Sequence, residues 1–384
     1  MDIRVIGSTK PGFELPIEDA ERFAGHSAGI CYMKEDFETI LAEPEERTKK
    51  RFMGTVGSGH HSVAGHVSYN LLLIGIPKIV AMVLNNEKDY NTSEKSARYT
   101  KMKIEGQEKY LYDKWLEIFE KQIMAKYPQI DELTRRKLAQ ENARYFISVF
   151  TPSTTMEYTI DLRQGNYLIG FLEDAATTET DDPFKMRLRP LLFETAQLFK
   201  SVLGIEGLRD NKGRRLSLFA KRYRAEQFGE TYSINYTGSF AMLAQAQRHR
   251  SLNYEMIVPQ LFGAEFFMPP IIEDTVLAHE YLDDMESVKE NYPQGMLLHI
   301  NERGMPEDFL MKCGERLCGA AQLEICRNTH DTLVRYVDET SKRGELDVYR
   351  DLGAYLGKTK CQFGYYHCNR PCPLGAKNAF TRKI

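Results

Sequence analysis

A compact cationic motif follows an apolar stretch in the second half of the chain. Gln245, Arg248, His249 and Arg250 stand directly after the run TYSINYTGSFAMLA. Guanidinium groups bind phosphate bidentately and keep their charge, so two arginines that flank a histidine form a compact anion site. A solvated surface cluster of charges is the alternative interpretation. We favour phosphate binding, because the motif follows residues that have a buried character.

A second polar cluster lies in the hydrophilic segment NNEKDYNTSEKSARYTKMK. Glu94, Ser96, Arg98 and Tyr99 combine a carboxylate, a hydroxyl group and a guanidinium within six residues. A loop of this kind can hold the phosphate and sugar of a nucleotide, since loops on rigid scaffolds often carry function. Taken alone, an exposed hairpin tip is the better explanation.

A third group comprises Asn301 and Arg303, followed by Arg316 and the segment AAQLEI. If the intervening residues form a helix, both arginines lie on one side of a cavity. Buried arginines need anionic partners. The group therefore predicts a second anionic or polar ligand contact.

Two segments contain residue types that bind zinc. One is the glycine-rich stretch GHHSVAGH, with His60, His61 and His66. It lacks a nearby cysteine or carboxylate, and loop histidines also bind cofactors. The other is the C-terminal stretch KCQFGYYHCNRPCPLG, with Cys361, His367, Cys368 and Cys372. Its spacing is not that of a standard finger, so we predict no metal, and structural zinc stays open as the alternative to reduced thiols.

Composition narrows the class of protein. A length of 384 residues favours two domains or one doubled architecture. A formal net charge of −3 argues against a nucleic-acid or anionic membrane partner, which requires a broad basic field. The N-terminal sequence has no secretory features and no apolar run reaches membrane-spanning length, which predicts a cytoplasmic protein. Seven scattered cysteines are then expected to be reduced.

The order of predicted elements repeats along the chain. Residues 36–52 are helix-prone, and the apolar run VSYNLLLIGIPKIVAMVL is β-like. Residues 108–127 and 131–150 predict a helix pair that Pro152 ends. A β-like run, a cationic loop and helices then recur after residue 216. We therefore predict an internal repeat, with domains at residues 1–205 and 206–384.

Together these motifs resemble the flavin-dependent thymidylate synthases. That family is marked by Arg-His-Arg, then Ser, Asn-Glu, Ser and Arg-Tyr along one loop. The first half keeps the tail of this signature in SEKSARY but has Asn86-Glu87-Lys88 in place of Arg-His-Arg. The second half has Arg248-His249-Arg250 and then continues as SLNYEM. The signature is therefore divided between the halves.

Other family positions are divided in the same way. His60 and Ser62 match family cofactor positions, and Arg144 in ENARYF matches a nucleotide-binding arginine. Asn301 and Arg303 match the family's Asn-x-Arg element. Arg316, five residues before Ala321-Gln322, matches the arginine that holds and polarises the pyrimidine. The first half has only the related stretch TIDLRQ, with Asp161 and Arg163, and no clear equivalent of Arg316.

The resemblance implies an α+β fold class: two fused copies of the flavin-dependent thymidylate synthase fold, each a small β-sheet with helices. Family members are homotetramers whose active sites borrow residues from neighbouring subunits. Fusion of two subunits would leave one composite site per chain and a homodimer that mimics the tetramer. That arrangement is our hypothesis for the divided signature.

The implied reaction is reductive methylation of dUMP to dTMP with FAD, NADPH and 5,10-methylenetetrahydrofolate. The flavin carries the redox chemistry, while protein groups orient the substrates and stabilise developing charge. The implied catalytic residues are Arg316, Ser96 and His60. The implied substrate-binding residues are Gln245, Arg248, Glu94, Ser96, Arg98, Arg144 and Arg316. The implied cofactor-binding residues are His60, Ser62, Glu94, Arg248, His249, Arg250, Asn301 and Arg303.

Two other functions remain compatible with these motifs. A flavin-dependent transferase that acts on another pyrimidine nucleotide would carry the same phosphate contacts. A degenerate paralogue that binds nucleotide or flavin without catalysis is the non-enzyme alternative. The complementary retention of Arg98, Arg248 and Arg316 argues against decay.

Overall fold

The computed structural model describes residues 1–9, 16–95, 103–208, 217–369 and 372–384. The strands are Asp2–Ser8 (β1), Ser68–Ile76 (β2), Tyr90–Glu94 (β3), Thr154–Asp161 (β4), Tyr232–Ser239 (β5), Asn253–Ile257 (β6) and Leu297–Gly304 (β7). The helices of the first half are Ile17–Tyr32 (α1), Phe37–Leu41 (α2), Glu45–Gly57 (α3), Lys78–Asn86 (α4), Gly106–Lys126 (α5), Glu132–Ala143 (α6), Leu162–Thr177 (α7) and Pro183–Leu203 (α8). Those of the second half are Phe240–Ala246 (α9), Leu277–Ser287 (α10), Pro306–Arg316 (α11), Leu323–Arg343 (α12) and Leu346–Gly353 (α13).

Short 3-10 helices add turns at His61–His66, Arg144–Phe146, Lys289–Asn291, Lys360–Gln362 and Ala376–Asn378. Small antiparallel sheets with many helices confirm the predicted α+β class. In the described part of the chain, no helix combines the length and apolar composition of a membrane span. All seven cysteines are free thiols in the structure.

The chain forms two compact units. The first contains Met1–Lys95 and Pro152–Leu216, and the second contains Ser96–Thr151 and Ser217–Ile384. These units differ from the predicted domains 1–205 and 206–384, because the segment 103–151, which contains two helices, packs with the second half. Trp115 shows why: its ring contacts that of Tyr281 with centroids 4.9 Å apart, and its indole nitrogen donates a hydrogen bond of 2.8 Å to Asp284.

The first unit is built on an antiparallel sheet with the strand order β1-β2-β4-β3. Alternate side chains of β2 and β4 enter the core, as expected for strands with one buried face. The β-like reading of VSYNLLLIGIPKIVAMVL is correct only as far as Ile76. Pro77 then precedes helix α4, most of whose residues are buried. An apolar run buried on all sides has no periodicity that separates strand from helix.

The second unit has an antiparallel sheet with the order β5-β7-β6. This order matches β2-β4-β3 of the first unit, and in both units a helix follows the first strand and another follows the central strand. The registers also correspond. Ser68 pairs with Asp161 in the first unit, and Ser233 pairs with Arg303 in the second.

The predicted helix pair is correct for α5 but too long for the second helix. Helix α6 ends at Ala143, not at Pro152, and a 3-10 turn of buried residues follows. Beyond this turn the backbone pairs with a neighbouring segment: Gln294 donates to the carbonyl of Ile147 and Val149 donates to that of Tyr292, at 2.8 and 3.0 Å. These long-range bonds replace helical bonds that the sequence pattern favoured.

Candidate active site

A buried network of polar side chains in the second unit is centred on Gln322, directly before helix α12. The Gln322 side chain is almost fully enclosed, with its residue 2% exposed. Its Oε1 accepts hydrogen bonds from Arg144 Nη2 and from Gln245 Nε2, and its Nε2 donates to the Tyr145 hydroxyl. One amide therefore joins three elements: the turn after α6, helix α9 and the start of α12.

The network continues to a buried carboxylate, Glu324. The Tyr145 hydroxyl donates to Glu324 Oε2 at 2.8 Å, and Ser239 donates from its backbone nitrogen and hydroxyl at 2.8 and 2.7 Å. Burial raises the pKa of Glu324, while the hydrogen bonds from Ser239 and Tyr145 oppose that rise. Sequence reasoning missed Glu324 as a partner, although it lies within AAQLEI. Its role is to fix the first turn of α12 against α9.

Arg316, at the end of α11, lies on another side of Gln245. Its Nε donates to His249 Nε2 at 2.8 Å, and its Nη2 donates to the backbone carbonyl of Gln245 at 2.9 Å. Burial, together with the positive charges of Arg316 and Lys312, lowers the pKa of His249 from 6.5 to about 2. His249 is therefore neutral at neutral pH. Since arginine only donates, Nε2 is the acceptor and the imidazole proton lies on Nδ1.

The second unit thus brings together four of the predicted site residues: Arg144, Gln245, His249 and Arg316. Arg144 is 7% exposed, and its Nε has no hydrogen-bond partner among the residues that the structure describes. The Arg316 guanidinium is held by His249 and by the carbonyl of Gln245. A donor fixed in this way suits a developing negative charge on a bound oxygen, because it needs no rearrangement when the charge appears. The arrangement can therefore hold and polarise an anionic or carbonyl-bearing ligand.

Asn301 and Arg303 lie on β7 and face a different set of residues. Glu255 on β6 accepts from Arg303 Nη2 at 2.8 Å and from Arg224 Nε at 2.7 Å. Burial opposes ionisation of Glu255, but the two arginines overcome it and lower its pKa. Asn301 Nδ2 donates to Ser233 Oγ at 2.9 Å. Glu255 was not predicted, because nothing in its local sequence marks it as a partner of these arginines.

A small cavity of about 140 Å³ lies on this face, lined in part by Asn301, Glu255 and His299. Asn301 Oδ1 belongs to a lining residue of this cavity, and Arg303 Nη1 lies two residues further along β7; both atoms are buried and have no partner within the described ranges. They leave one acceptor and one donor for a ligand.

The opposite face of β7 holds a fully buried ion pair. Lys312 Nζ on α11 lies 2.6 Å from Glu302 Oε2, and both side chains are 0% exposed. The hydroxyls of Tyr232 and Tyr236 donate to the same carboxylate at 2.8 and 2.7 Å. Neighbouring residues of a strand point to opposite faces, so Arg303 points away from the helix that carries Arg316. The prediction that both arginines lie on one side of a cavity is therefore wrong.

In the first unit, His60 and Ser62 lie together and are exposed. The His60 ring contacts that of Tyr32 edge-on, with centroids 6.1 Å apart. Both residues belong to the turn before β2, next to the end of β4 at Asp161, since Leu162 donates to the carbonyl of Val67.

Glu94 lies at the other end of the same sheet. Its carboxylate forms an ion pair of 2.6 Å with Lys78, and its side chain is 3% exposed. It pairs across the sheet with Met156, five residues before Asp161. At about 3.3 Å per residue this separation is roughly 17 Å. A single copy of the first unit therefore does not bring Glu94 to His60 and Ser62.

Other predicted residues are less constrained. Arg248 is half-buried and Arg250 is exposed, on either side of His249. Ser96, Arg98 and Tyr99 lie outside the described residues. Their predicted contacts with the nucleotide stay predictions.

The C-terminal cysteines line a second cavity, of about 760 Å³, in the second unit. Cys318, Cys361, Cys368 and Cys372 share its wall with Lys137 of α6 and other residues. Across the ranges that the structure describes, no cluster of three or more His, Cys, Asp or Glu side chains is arranged to hold a metal ion. The zinc alternative gains no support from this geometry.

Part of the chain is similar to a known protein family. The profile of the family described as "Thymidylate synthase complementing protein" matches residues 16–177. No curated protein matches the chain.

Among solved structures, the chain is similar to the flavin-dependent thymidylate synthase ThyX from Helicobacter pylori, complexed with FAD and dUMP. That similarity has 19% identity over 53% of this chain and 100% of that one, with a TM-score of 0.31. A UMP/dUMP methylase, PolB from Streptomyces cacaoi, bound with 5-Br dUMP, has 14% identity over 53% of this chain and 93% of that one, with a TM-score of 0.36. With TM-scores this low, the assignment rests on the family profile. The family profile covers 162 of the 384 residues, so this similarity extends over less than half of the chain.

Proposed function

We propose that the chain is an FAD-dependent thymidylate synthase that converts dUMP to dTMP with 5,10-methylenetetrahydrofolate and NADPH. The observation that carries the proposal is the hydrogen-bonded cluster of Arg144, Gln245, His249 and Arg316. The resemblance assigned three of these residues to the pyrimidine nucleotide and His249 to the flavin. The match of residues 16–177 to the family profile supports the same activity.

Arg316 is the proposed electrostatic catalyst. Its guanidinium is fixed by the neutral imidazole of His249 and by the backbone carbonyl of Gln245. A permanent positive charge held beside the uracil ring would bind its carbonyl oxygen and stabilise negative charge there. The neutral state of His249 is part of this function, because an imidazolium would repel Arg316 and could not accept its hydrogen bond.

The proposed nucleotide contacts use donors that the network leaves available. Arg144 Nε is buried without a partner in the described structure and can donate to the nucleotide. Gln245 and Arg248 would add further donors, in keeping with their predicted roles. Glu94, Ser96 and Arg98 complete the proposed set. The last two lie outside the described residues.

The residues present fit a flavin. The unpartnered Asn301 Oδ1 and Arg303 Nη1 offer an acceptor and a donor, and Arg248 and Arg250 offer charge for a diphosphate. His60 and Ser62 are the proposed contacts from the first half. When bound, the flavin supplies the hydride for the reduction. NADPH and the folate are proposed from the resemblance alone, and so is the homodimer.

The test begins with purified protein loaded with FAD and assayed for dTMP formation from dUMP, with UMP as an alternative substrate. Arg316→Lys keeps a positive charge but loses the fork geometry, so we expect kcat to fall about 100- to 1000-fold, the loss typical of a removed oxyanion donor. Arg335→Lys is the matched control, because Arg335 lies at the surface with 45% side-chain exposure, where it pairs with Glu226 and lies over the Phe228 ring. Its kcat should stay within about twofold, as expected for an exposed pair.

The outcomes separate the alternatives. Turnover of UMP but not dUMP would replace the proposal with another pyrimidine-nucleotide transferase. Protein that binds FAD or dUMP but turns over neither nucleotide would indicate the non-catalytic paralogue. An Arg316→Lys variant with unchanged kcat would remove Arg316 from the mechanism.

A further inference from the structure

The segment Leu317–Gln322 connects two residues of the proposed site. Helix α11 ends at Arg316 and helix α12 begins at Leu323, so the loop starts beside Arg316 and ends on Gln322. The loop has little internal bonding of its own: Cys318 donates to the carbonyl of Arg316 at 2.8 Å and Ala321 donates to that of Cys318 at 3.0 Å. Whatever fixes this loop therefore sets the positions of both site residues.

The C-terminal segment supplies hydrogen-bond donors to the outer side of the loop. The backbone nitrogen of Lys360 donates to the carbonyl of Leu317 at 2.7 Å. The guanidinium of Arg382 donates to the carbonyl of Ala321 through Nη2 and, at 3.5 Å, to that of Cys318 through Nη1. Three carbonyls of the loop are thereby held by residues far along the chain.

Arg382 is built into the interior of the unit. It is 3% exposed. Its Nε donates to the carbonyl of Ile384 at 2.7 Å and its Nη1 donates to that of Ala379 at 3.2 Å. The planar guanidinium has donors in a rigid fork, so one side chain can fix the chain end and the loop in a single geometry. A lysine has a single charged atom and cannot span all four carbonyls.

The C-terminal segment is also held from the other side, by helix α12. Arg327 donates from Nη2 to the carbonyl of Arg382 at 2.7 Å and from Nε to that of Phe380 at 3.3 Å. The rings of His330 and Phe380 lie 4.4 Å apart. Arg382 is therefore anchored independently of the loop that it holds.

The loop fits closely against this segment. A Cβ atom on Gly319 would lie 2.3 Å from the Cys372 sulfur and 3.7 Å from Arg382 Nη1. Glycine allows the loop to approach the C-terminal segment at this point. Because the loop lies this close to the C-terminal segment, the Arg382 side chain can reach the backbone carbonyls of the loop.

We propose that Arg382 is a positioning residue for the reaction: it holds the Leu317–Gln322 loop so that Arg316 and Gln322 keep their places in the site. The proposal rests on the proposed function. Displacement of reacting groups by about 1 Å can cost about 100-fold in rate. Loss of Arg382 should therefore lower kcat without changing the residues that touch the ligand.

The experiment compares Arg382→Met, Arg382→Lys and the control Lys383→Met in the full-length, FAD-loaded protein. Lys383 is the neighbouring cation, and its ammonium forms only a surface ion pair of 3.6 Å with Asp274. We expect Arg382→Met to lose about 10- to 100-fold in kcat, with KM for dUMP changed less. Arg382→Lys should recover part of the loss, and Lys383→Met should stay within about twofold.

Hydrogen exchange gives a second readout that does not depend on turnover. Arg382→Met should speed exchange at the amides of Cys318 and Ala321, and Lys383→Met should not. If Arg382→Met fails to fold, Arg327→Met is the substitute variant. It removes hydrogen bonds to the C-terminal segment but none to the loop, so it should speed exchange at the same two amides by a smaller factor.

Two results would overturn the proposal: kcat equal to wild type in Arg382→Met well below its unfolding temperature, or unchanged exchange of the loop amides. Failure of the proposed function looks different, because then the wild-type protein itself does not methylate dUMP, while the exchange comparison still reports on the loop.

Discussion

The sheet β2-β4-β3 of the first unit and the sheet β5-β7-β6 of the second share strand order, strand direction and the placement of the following helices. They also share side-chain detail. Thr159 donates to Asn70 at 2.9 Å in the first, and Asn301 donates to Asn235 at 3.1 Å in the second, at matching positions of the two registers. This likeness supports the internal repeat that the sequence predicted.

The difference between the two sheets lies in the residues that follow their first helices. In the first unit Glu87 follows α4, is 3% exposed and accepts a hydrogen bond of 2.8 Å from Tyr167 on α7. In the second unit His249 follows α9 and accepts from Arg316 on α11. In the first unit, α4 and α7 are thus joined through the Glu87 carboxylate and the Tyr167 hydroxyl. In the second unit, α9 and α11 are joined through the neutral imidazole of His249 and the guanidinium of Arg316. At this place the second unit has a guanidinium, whereas the first has a carboxylate.

The central strands differ in their interiors as well. Ile160 of β4 lies between Tyr69 and Tyr90, and Glu302 of β7 lies between Ile234 and Tyr254. The first interior is apolar at this place, whereas the second contains an ion pair. The buried charge of Lys312 also helps to keep His249 neutral.

The largest expected effect comes from breaking that ion pair. Lys312→Met leaves Glu302 as a buried, unpaired carboxylate, and we expect the free energy of unfolding to fall by about 3–5 kcal/mol. The double variant Glu302→Ile with Lys312→Met gives the second sheet the apolar interior of the first, and it should lose clearly less than the single variant. Chemical denaturation measures both. A double variant as unstable as Lys312→Met would mean that the two interiors are not interchangeable.

A smaller effect is expected from His249 and pH. The pKa of His249 is 6.5 unfolded and about 2 folded, so the unfolded state binds the extra proton between these values. Stability is complete above the unfolded pKa and is lost as pH falls; between about pH 7.5 and about pH 5 the loss is about 2 kcal/mol.

His249→Gln removes the titrating ring but keeps an acceptor for Arg316. Its unfolding free energy should therefore fall less over this pH range than that of the wild type. The first unit has Glu87 and no histidine at the corresponding place. Denaturant titrations at both pH values measure the difference between the two proteins. Parallel pH profiles would contradict the buried, neutral state of His249.

The smallest expected effect tests the shared register. Asn70→Ala and Asn235→Ala each remove a half-buried acceptor of one cross-strand hydrogen bond, and Asn235→Ala also removes a bond of 2.8 Å to the carbonyl of Arg224. Each should lower the free energy of unfolding by about 1 kcal/mol, because that is the typical net value of such a bond. A neutral change in one unit beside a loss of several kcal/mol in the other would show that the two asparagines are not equivalent.

Sequence reasoning succeeded where a motif and its spacing carried the information. The motif comparison assigned Arg316, Gln245 and Arg144 to one substrate site; in the structure Arg316 donates to the backbone of Gln245, and Arg144 is joined to Gln245 through Gln322. These residues lie close to recognisable segments such as QAQRHR and AAQLEI. The α+β class followed from the same segments.

Sequence reasoning failed where a contact depends on register between distant strands. Glu255 and Glu302 are single acidic residues in ordinary strand sequences, and their arginine and lysine partners are set by cross-strand pairing and by the packing of α11. The residues between Arg303 and Arg316 are helical from Pro306 onward, as the prediction required, but Arg303 itself lies on the strand before that helix. The strand β7 instead turns Arg303 to the opposite face.

The path of the chain through the two compact units has a consequence for folding. The chain leaves the first unit after Lys95 and returns at Pro152, so β3 and β4, which pair directly, are separated by a segment that belongs to the second unit. A protein cut at one place between the units would lose part of one of them. Pairing of β3 with β4 closes a long loop, which slows folding. The first unit therefore completes its sheet only after residues 96–151 have been synthesised, and that segment must wait for residues 217–384 before the second unit can form.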